Sequence, residues 1–394
     1  MSGLRRRGAG LACGLLVMLS VLRPSSPLPA EAATAAALSC SATGIVPSPS
    51  PGSFDALSGV AAPGPDDAWA VGNYIDAGGF GQTLIEHWDG RSWRQVASRN
   101  PAADDALTAV AAVSPADVWA VGSMSSGAPF GDRPLAEHWN GSAWTVVPVP
   151  GDGTLTGLAA ASAHDVWAVG STVNGNQPVQ TLVEHWDGAS WQVVGSRNPG
   201  PYGNRLAAVS VTGPDSVWAV GTADTSQFGT GSLVEHWNGI GWSAVSVPNV
   251  GLDDTLRSVA SAGPGGVWAV GAYDQQTPQG TATYALIQHW NGARWSVVPS
   301  PGPTGLDILE GVAAVSASDI WAVGTTAGHP ARVERWNGRQ WILEKAPYVH
   351  GALNLASAVS ASPATGVWIA GTDIALNNFS YHTLTEHLCP TGPN

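Results

Sequence analysis

The sequence predicts an all-β fold, a seven-bladed β-propeller of four-stranded antiparallel blades, on three observations. A motif of the type Trp-Ala-Val-Gly recurs seven times, and the spacings between its tryptophans are 50, 48, 51, 50, 53 and 47 residues. A second motif, Glu-His-Trp or a variant of it, follows each copy, and in six copies another tryptophan comes five residues later. The composition, with 49 Gly, 29 Pro and only 11% charged residues, suits short strands joined by turns. The tryptophans of the first motif are Trp69, Trp119, Trp167, Trp218, Trp268, Trp321 and Trp368. A fixed period near fifty residues is typical of propellers and solenoids.

Each repeat is predicted to form four strands in chain order. The first is small and apolar, as in residues 107–113, which suits a crowded central channel. The second contains Val-Trp-Ala-Val-Gly, the third Leu-Val-Glu-His-Trp and the fourth Trp-x-Val-Val. An Asp-Gly or Asn-Gly pair joins the third strand to the fourth, and this pair is a strong hairpin signal.

The connections between these strands predict one uniform face and one variable face. The turns between strands one and two, and between three and four, are short and nearly identical in every repeat. The loops between strands two and three, and the links to the next repeat, differ in length and composition and share the opposite end. These variable segments are residues 73–82, 123–134, 171–180, 222–231, 272–284, 325–330 and 372–382, and the links 98–106, 149–154, 196–205, 247–255, 300–308 and 346–353. The variable face is therefore the candidate recognition surface.

Both chain ends are predicted to meet in the seventh blade. Residues 41–52 resemble the end of a repeat, and the last repeat stops at Cys389 without that piece. The N-terminal strand within 41–52 then completes blade 7, which places Cys40 and Cys389 at the position of the usual Asn-Gly turn. A disulfide between them would close the ring and stabilise it by roughly 3–5 kcal/mol. The alternative is that Cys40 is a lipidation site, which leaves Cys389 without this partner.

Residues 1–32 are predicted to be a signal peptide. A basic start at Arg5, Arg6 and Arg7 precedes an apolar stretch over residues 8–22, and residues 30–32 offer a small-x-small cleavage site. The mature chain then comprises a short segment 33–40, one propeller 41–389 and a tail 390–394. We expect a secreted or extracellular monomer with no transmembrane segment after cleavage; association with the cell surface is the alternative. The formal charge of −13 argues against nucleic acid as a partner.

The repeated Glu-His pair is predicted to be structural rather than catalytic or metal-binding. Adjacent residues of a strand point to opposite faces, so the two side chains do not converge. The histidine is expected to meet the aspartate that opens strand two, and blade 6 has arginine in place of the histidine. The predicted pairs are Asp67 with His87, Asp165 with His185, and Asp319 with Arg335. The repeated tryptophans are likewise expected to be core residues between blades rather than a sugar-binding set.

Aromatic and charged residues that depart from the repeat are the candidate ligand-binding residues of the variable face. They are Phe80, Phe130, Phe228, Tyr74, Tyr202, Tyr273, Arg99, Arg197, Asp105 and Asp254. Aromatic rings beside polar groups suit sugar binding, because a ring stacks on the apolar face of a sugar while polar groups bind its hydroxyls. The alternative is that these are solvated loop tips with a few aromatic rings packed on the rim.

The sequence implies no cofactor and no metal site, with Ca²⁺ left open at two aspartate pairs. Asp104-Asp105 and Asp253-Asp254 carry suitable oxygen ligands but lack the spacing of a calcium loop. Phosphate loops, Cys/His zinc patterns and the Gly-x-Ser-x-Gly nucleophile motif are not found in the sequence. No catalytic residue can be named.

The combination Asp-Val-Trp-Ala-Val-Gly and Glu-His-Trp-Asp-Gly-x-Ser-Trp resembles secreted bacterial seven-bladed β-propeller repeat proteins over about residues 41–389. The turn at residues 89–93 is similar to the Asp-box of sialidase-type propellers, although it is one residue shorter and lacks the leading serine. The Val-Trp-Ala-Val core also looks like tectonin-type lectin repeats. These resemblances imply a fold, and no site residue is carried over from them.

These observations favour an exported, non-catalytic propeller that binds a glycan or an extracellular protein on its variable face. The first alternative is a glycoside hydrolase or lyase with carboxylates at the central mouth of that face. This activity requires two carboxylates from different blades that are separated by about 5–5.5 Å or by about 6.5–9.5 Å. The second alternative is a structural protein of the cell surface that has no small ligand.

Overall fold

The computed structural model describes residues 43–389, except 126–130, 174, 176, 228, 264–265 and 329. Over these ranges the chain forms 28 β-strands and no helix, and the strands make seven four-stranded antiparallel sheets. The seven sheets are the blades of a propeller, so the predicted fold class is confirmed. No helix of the described residues is long and apolar enough to cross a membrane.

The innermost strand of each blade lines a central channel. In all seven innermost strands the pairing register shifts just after the first fully buried apolar residue of the strand, for example between Leu107 and Ala109. Such a β-bulge leaves one residue unpaired and turns its side chain, here toward the channel. The innermost strands are β2 (Asp55–Gly64), β6 (Asp104–Ser114), β10 (Thr154–Ser162), β14 (Gly203–Gly213), β18 (Asp254–Ser261), β22 (Ile308–Ser316) and β26 (Ala352–Ser362).

The second strand of each blade carries the motif tryptophan and is buried on both faces. Residues 166–170, for instance, are all buried. This burial explains why apolar residues run continuously here instead of alternating. The second strands are β3 (Asp67–Ile75), β7 (Asp117–Ser125), β11 (Asp165–Thr172), β15 (Ser216–Ser226), β19 (Val267–Thr277), β23 (Asp319–Thr325) and β27 (Gly366–Ala375).

The third strand pairs with the second, and in two blades this hairpin extends well into the segment expected to be a loop. In blade 5 the pairing continues to Thr277 and Gly280, and Tyr273 faces Tyr284 at a ring distance of 5.6 Å. The aromatic pair and the β-branched neighbours favour continued strand pairing. The third strands are β4 (Gly81–Trp88), β8 (Arg133–Trp139), β12 (Gln180–Trp186), β16 (Gly229–Trp237), β20 (Gly280–Trp290), β24 (Arg332–Trp336) and β28 (Tyr381–Leu388).

The outermost strand of each blade is short, which limits the unpaired edge that it offers to other chains. In blade 7 this strand is β1 (Gly44–Ile45) from the N-terminal segment, which pairs with Glu386 and His387 of β28. Residues from both chain ends therefore share one sheet. The other outermost strands are β5 (Trp93–Gln95), β9 (Trp144–Val146), β13 (Trp191–Val193), β17 (Trp242–Ala244), β21 (Trp295–Val297) and β25 (Trp341–Leu343).

Asparagine or aspartate followed by glycine shapes the turn before each of these six outer strands. Asp89 accepts hydrogen bonds from the backbone N–H groups of Arg91 and Ser92, at 3.0 and 2.9 Å. Gly90 has a φ of 84°, a left-handed conformation that glycine adopts without a steric penalty. The turn is thus fixed by local chemistry, which explains why it repeats around the ring.

Tryptophan clusters fill the seams between neighbouring blades. Trp119 of blade 2 contacts Trp186 and Trp191 of blade 3, with ring centroids 4.9 and 5.4 Å apart. Trp368 of blade 7 makes the same kind of contact with Trp88 of blade 1 at 5.2 Å, so the pattern continues across the closure. In the seam between blades 6 and 7, Leu388 takes the place of a tryptophan. Aromatic packing is therefore the common element that holds blade to blade.

Candidate binding face

Large apolar side chains are exposed mainly on the variable face. Among the described residues fifteen such side chains are exposed; ten lie on the variable face, four on outermost strands and one, Ile240, on the uniform face. The ten are Phe54, Phe80, Val173, Tyr202, Val250, Leu252, Leu306, Tyr348, Leu376 and Phe379. Exposed apolar groups that concentrate on one side of a protein mark an interaction surface.

The aromatic candidates named from the sequence differ in their accessibility. Phe80 and Tyr202 are exposed, and the turn that presents Phe80 is held by a hydrogen bond from its N–H to Asp76 at 3.0 Å. Tyr74 and Tyr273 are partly buried and pack against the cores between blades. The two other candidates lie outside the described residues: Phe130 and Phe228.

The arginine candidates are tied to the following blade. The backbone N–H of Arg197 donates to Glu235 at 3.0 Å, and its side-chain Nε donates to the carbonyl oxygen of Trp242 at 2.9 Å. The N–H of Arg99 donates in the same way to Glu137 at 3.4 Å. These contacts hold each link against its neighbouring blade.

The aspartate candidates are buried at the start of innermost strands. Asp105 is 2% exposed and accepts a hydrogen bond from Ala102 N–H at 3.0 Å, and Asp254 is 1% exposed and accepts from Val250 and Gly251. Asp55 closes its own link in the same way, through Gly52 N–H at 2.8 Å. These carboxylates thus fix the conformation of the links by accepting hydrogen bonds from backbone N–H groups. Within the described ranges, no group of three or more His, Cys, Asp or Glu is placed to hold a metal ion.

The structure brings together the residues assigned to structural pairs on the uniform face. His87 Nε2 lies 2.7 Å from Asp67 Oδ1, and His185 Nε2 lies 2.8 Å from Asp165 Oδ1. Arg335 makes the corresponding contact through Nε, 2.7 Å from its aspartate partner Asp319. Each histidine also stacks on the motif tryptophan of its blade, as His87 does on Trp69 at 4.2 Å. In blade 4, where serine replaces the aspartate, His236 contacts Ser216 at 3.0 Å.

The glutamate of each Glu-His motif is buried in the seam with the preceding blade. All six glutamates and the Gln288 that replaces one of them are 0% exposed. Burial raises the pKa of Glu184 from 4.5 to about 8, and no charged neighbour offsets this effect. Burial raises the pKa of Glu86 and of Glu386 to about 8 as well. At neutral pH, the protonated form of Glu86, Glu184 and Glu386 is therefore favoured.

The link that covers each glutamate explains the differences between blades. Where the link provides an N–H, as Arg99 and Arg197 do, the facing glutamate accepts it and burial raises its pKa only to about 7. Over Glu184 the corresponding residue is Pro150, which has no N–H to donate. In blade 5 the side-chain Nε2 of Gln288 donates instead to the carbonyl oxygen of Pro248, at 2.8 Å. An uncharged side chain with a proton to donate therefore suits this position.

Among the described residues that line the central channel, one ion pair is formed. Arg257 Nη1 lies 3.0 Å from both carboxylate oxygens of Glu310, and the two residues occupy the bulge positions of blades 5 and 6. The same positions in the other blades hold Ser58, Thr108, Thr156, Ala207 and Ser357. Among the described residues that line this part of the channel, Glu310 is the one carboxylate.

Blade 7 holds a pocket that the sequence did not indicate. The pocket has a volume of about 530 Å³ and opens on the variable face between the link 346–353 and the loop after β27. Its lining includes Val349, His350, Asp373, Leu376 and His382. Asp373 occurs once and has no counterpart in the other repeats, so a search for recurring motifs passes over it.

The comparisons with known proteins concern the fold. No family model and no curated protein matches the chain. Matches to solved structures comprise 308 chains. One of them, described as "YCF48 bound to D1 peptide", is 12% identical, covers 88% of this chain and 100% of its own, and has a TM-score of 0.51. At this identity the likeness shows the propeller fold alone.

Proposed function

We propose that this protein is an exported, non-catalytic propeller that binds a segment of another protein on its variable face. The observation that carries this proposal is the distribution of exposed apolar side chains, ten on the variable face against one on the uniform face. The rigid ring of blades holds the links in place, so a partner would meet a preformed surface. Ordering of this surface would therefore cost little conformational entropy on binding. The solved neighbour that its title describes as bound to a peptide is consistent with a partner of this class.

Glycan binding is the second candidate. Phe80 and Tyr202 provide exposed aromatic rings on which a sugar can stack. We rank it second because only half of the ten exposed apolar side chains of this face are aromatic; the other five are aliphatic, namely Val173, Val250, Leu252, Leu306 and Leu376. Aliphatic side chains contribute to protein recognition through buried apolar area, whereas they cannot form hydrogen bonds with sugar hydroxyls.

Glycoside hydrolysis is the third candidate. It needs a pair of carboxylates, and Glu310 at the central channel is already bonded to Arg257 at 3.0 Å. A hydrolase would therefore have to recruit a second carboxylate from elsewhere on the face and release Glu310 from its ion pair.

An array of random nonapeptides tests the proposal with the mature protein as probe. We expect saturable binding to a subset of peptides, and at least tenfold weaker binding for Tyr202→Ala or Leu252→Ser. Ile240→Ser is the matched control, since it removes an even more exposed apolar side chain from the uniform face. An array without bound peptides would refute the proposal, as would binding that only the control substitution abolishes. A parallel glycan array, run with and without Ca²⁺, tests the second candidate.

A further inference from the structure

In blade 7 a buried carboxyl group occupies a position that is uncharged in the other six blades. Five residues after the motif tryptophan, β27 carries Asp373, which is 7% exposed. The corresponding residues elsewhere are Tyr74, Met124, Thr172, Ala223, Tyr273 and Thr326. Directly across on β26 stands Asn354, where blades 1, 2, 5 and 6 have aspartate. Asparagine at that point avoids a second negative charge beside Asp373.

Asp373 lines the 530 Å³ pocket without a bonding partner of its own. It makes no hydrogen bond or ion pair within the described part of the chain, although it is more than nine-tenths buried. Burial raises its pKa, and the nearby His382 lowers it. A buried polar group without a partner is costly, so this arrangement favours a ligand that completes it.

The rim of the pocket combines apolar side chains with the polar His350, Asn377 and His382, and the exposed Phe379 follows in the same loop. Leu376 and Phe379 are 41% and 71% exposed. The N–H of Leu376 donates to the carbonyl oxygen of Gly351 at 2.9 Å, which ties the loop to the link across the pocket. Phe379 has a φ of 55°, and it is the one non-glycine residue with a positive φ among those described. Such a conformation is sterically strained for a side chain other than glycine, and strain of this kind concentrates at binding sites.

The chemistry of the pocket favours an organic cation over a metal ion. Among described residues no set of three potential ligands comes together here or elsewhere. A carboxylate in a pocket that also has the apolar wall residues Val349 and Leu376 suits the side chain of arginine or lysine, whose aliphatic stem packs on those residues while the charged head reaches the carboxylate.

We propose that the blade 7 pocket binds an arginine or lysine side chain of an extended partner segment, whose neighbouring apolar residues pack on Leu376 and Phe379. This inference rests on the proposed function, because it names the feature of the partner that the variable face recognises. It adds a specificity that the distribution of apolar residues alone does not supply.

A positional-scanning nonapeptide library tests the inference with the mature wild-type protein, Asp373→Asn and Asp152→Asn. We expect the wild type to select arginine or lysine at one position, flanked by apolar residues. Asp373→Asn should abolish the basic preference and weaken binding of the selected peptide at least tenfold. Asp152→Asn is the matched control, because it removes the same charge from an exposed side chain on the same face. It should leave both the basic preference and the affinity for the selected peptide unchanged.

Replacing the selected basic residue by citrulline, which keeps the shape of arginine without its charge, should weaken binding at least tenfold. If Asp373→Asn does not fold, the citrulline peptide and the surface substitution Phe379→Ser test the same site. Selection of peptides without a basic preference, or equal binding of the arginine and citrulline peptides, would overturn the inference while leaving the proposed function intact. A library without any bound peptide would overturn both.

Discussion

The buried glutamate Glu184 predicts a propeller that loses stability as the pH rises. Its folded-state pKa is about 8 against an ordinary value of 4.5, so between these values the native state binds more protons than the unfolded state. The stabilisation is complete below pH 4.5 and is lost progressively as the pH approaches 8. Each pH unit within this window costs up to about 1.4 kcal/mol for one carboxyl group.

Glu184→Gln removes this titration and keeps a proton donor for the carbonyl oxygen of Pro150, as Gln288 does for Pro248 at 2.8 Å. Three pH units, from 5 to 8, set an upper limit of about 4 kcal/mol. Water entry and local relaxation around a buried charge reduce this figure. We therefore expect the variant to equal the wild type at pH 5 and to be more stable by about 1–3 kcal/mol at pH 8.

Urea unfolding of the mature protein at pH 5, 6, 7 and 8 measures the difference. Glu235→Gln is the matched control, because Arg197 N–H already donates to Glu235 at 3.0 Å and the pKa of Glu235 rises only to about 7. The gain in the free energy of unfolding from Glu235→Gln should stop rising one pH unit lower, and it should be smaller by about 1.4 kcal/mol. A difference between Glu184→Gln and wild type that stays constant from pH 5 to 8 would refute the reasoning.

Three further predictions concern the ring itself. Gly170→Ala should lower the free energy of unfolding by about 3 kcal/mol or more, because a Cβ there would collide with a backbone carbonyl of the innermost strand. Gly195→Ala is the control, since a Cβ at that position meets open space and should be nearly neutral. Equal effects of the two substitutions in thermal or urea unfolding would contradict this packing argument. Non-reducing peptide mapping should recover Cys40 linked to Cys389, and recovery of a lipidated Cys40 would support the alternative. Arg335→Ala should lower the free energy of unfolding by about 1–3 kcal/mol, because it leaves the half-buried Asp319 without its partner. Arg335→His should restore most of this loss. A histidine variant that is no more stable than the alanine variant would show that the pair is dispensable.

The repeat made the fold predictable from the sequence. A tryptophan such as Trp119 recurs at a near-constant spacing with the same neighbours, and only a ring or stack of equivalent units places such residues in equivalent surroundings. The turn residues Asp89 and Gly90 fix their hairpin through local bonds, so they too could be read from the chain. The lengths of the strands in blade 5 could not, because the continued pairing depends on the contact between Tyr273 and Tyr284.

The accessibility of single side chains was harder to predict than the fold. Asp105 looks like a surface acid in the sequence, yet it is 2% exposed because its own link folds back over it. The signal was available, since aspartate or asparagine recurs two residues before the apolar start of several innermost strands, at Asp55 and Asn204 among others. Asp373 carries no such signal, because its burial results from the packing of the link 346–353 against the end of β27, which comes about twenty residues later in the chain.

The most direct test of a binding role for the variable face is hydrogen exchange of the mature protein with and without its best-binding nonapeptide. The proposal predicts slowed exchange in links and loops of that face, above all in residues 346–353 and 372–382, with unchanged exchange in the short turns of the opposite face. Protection confined to those short turns would contradict the account.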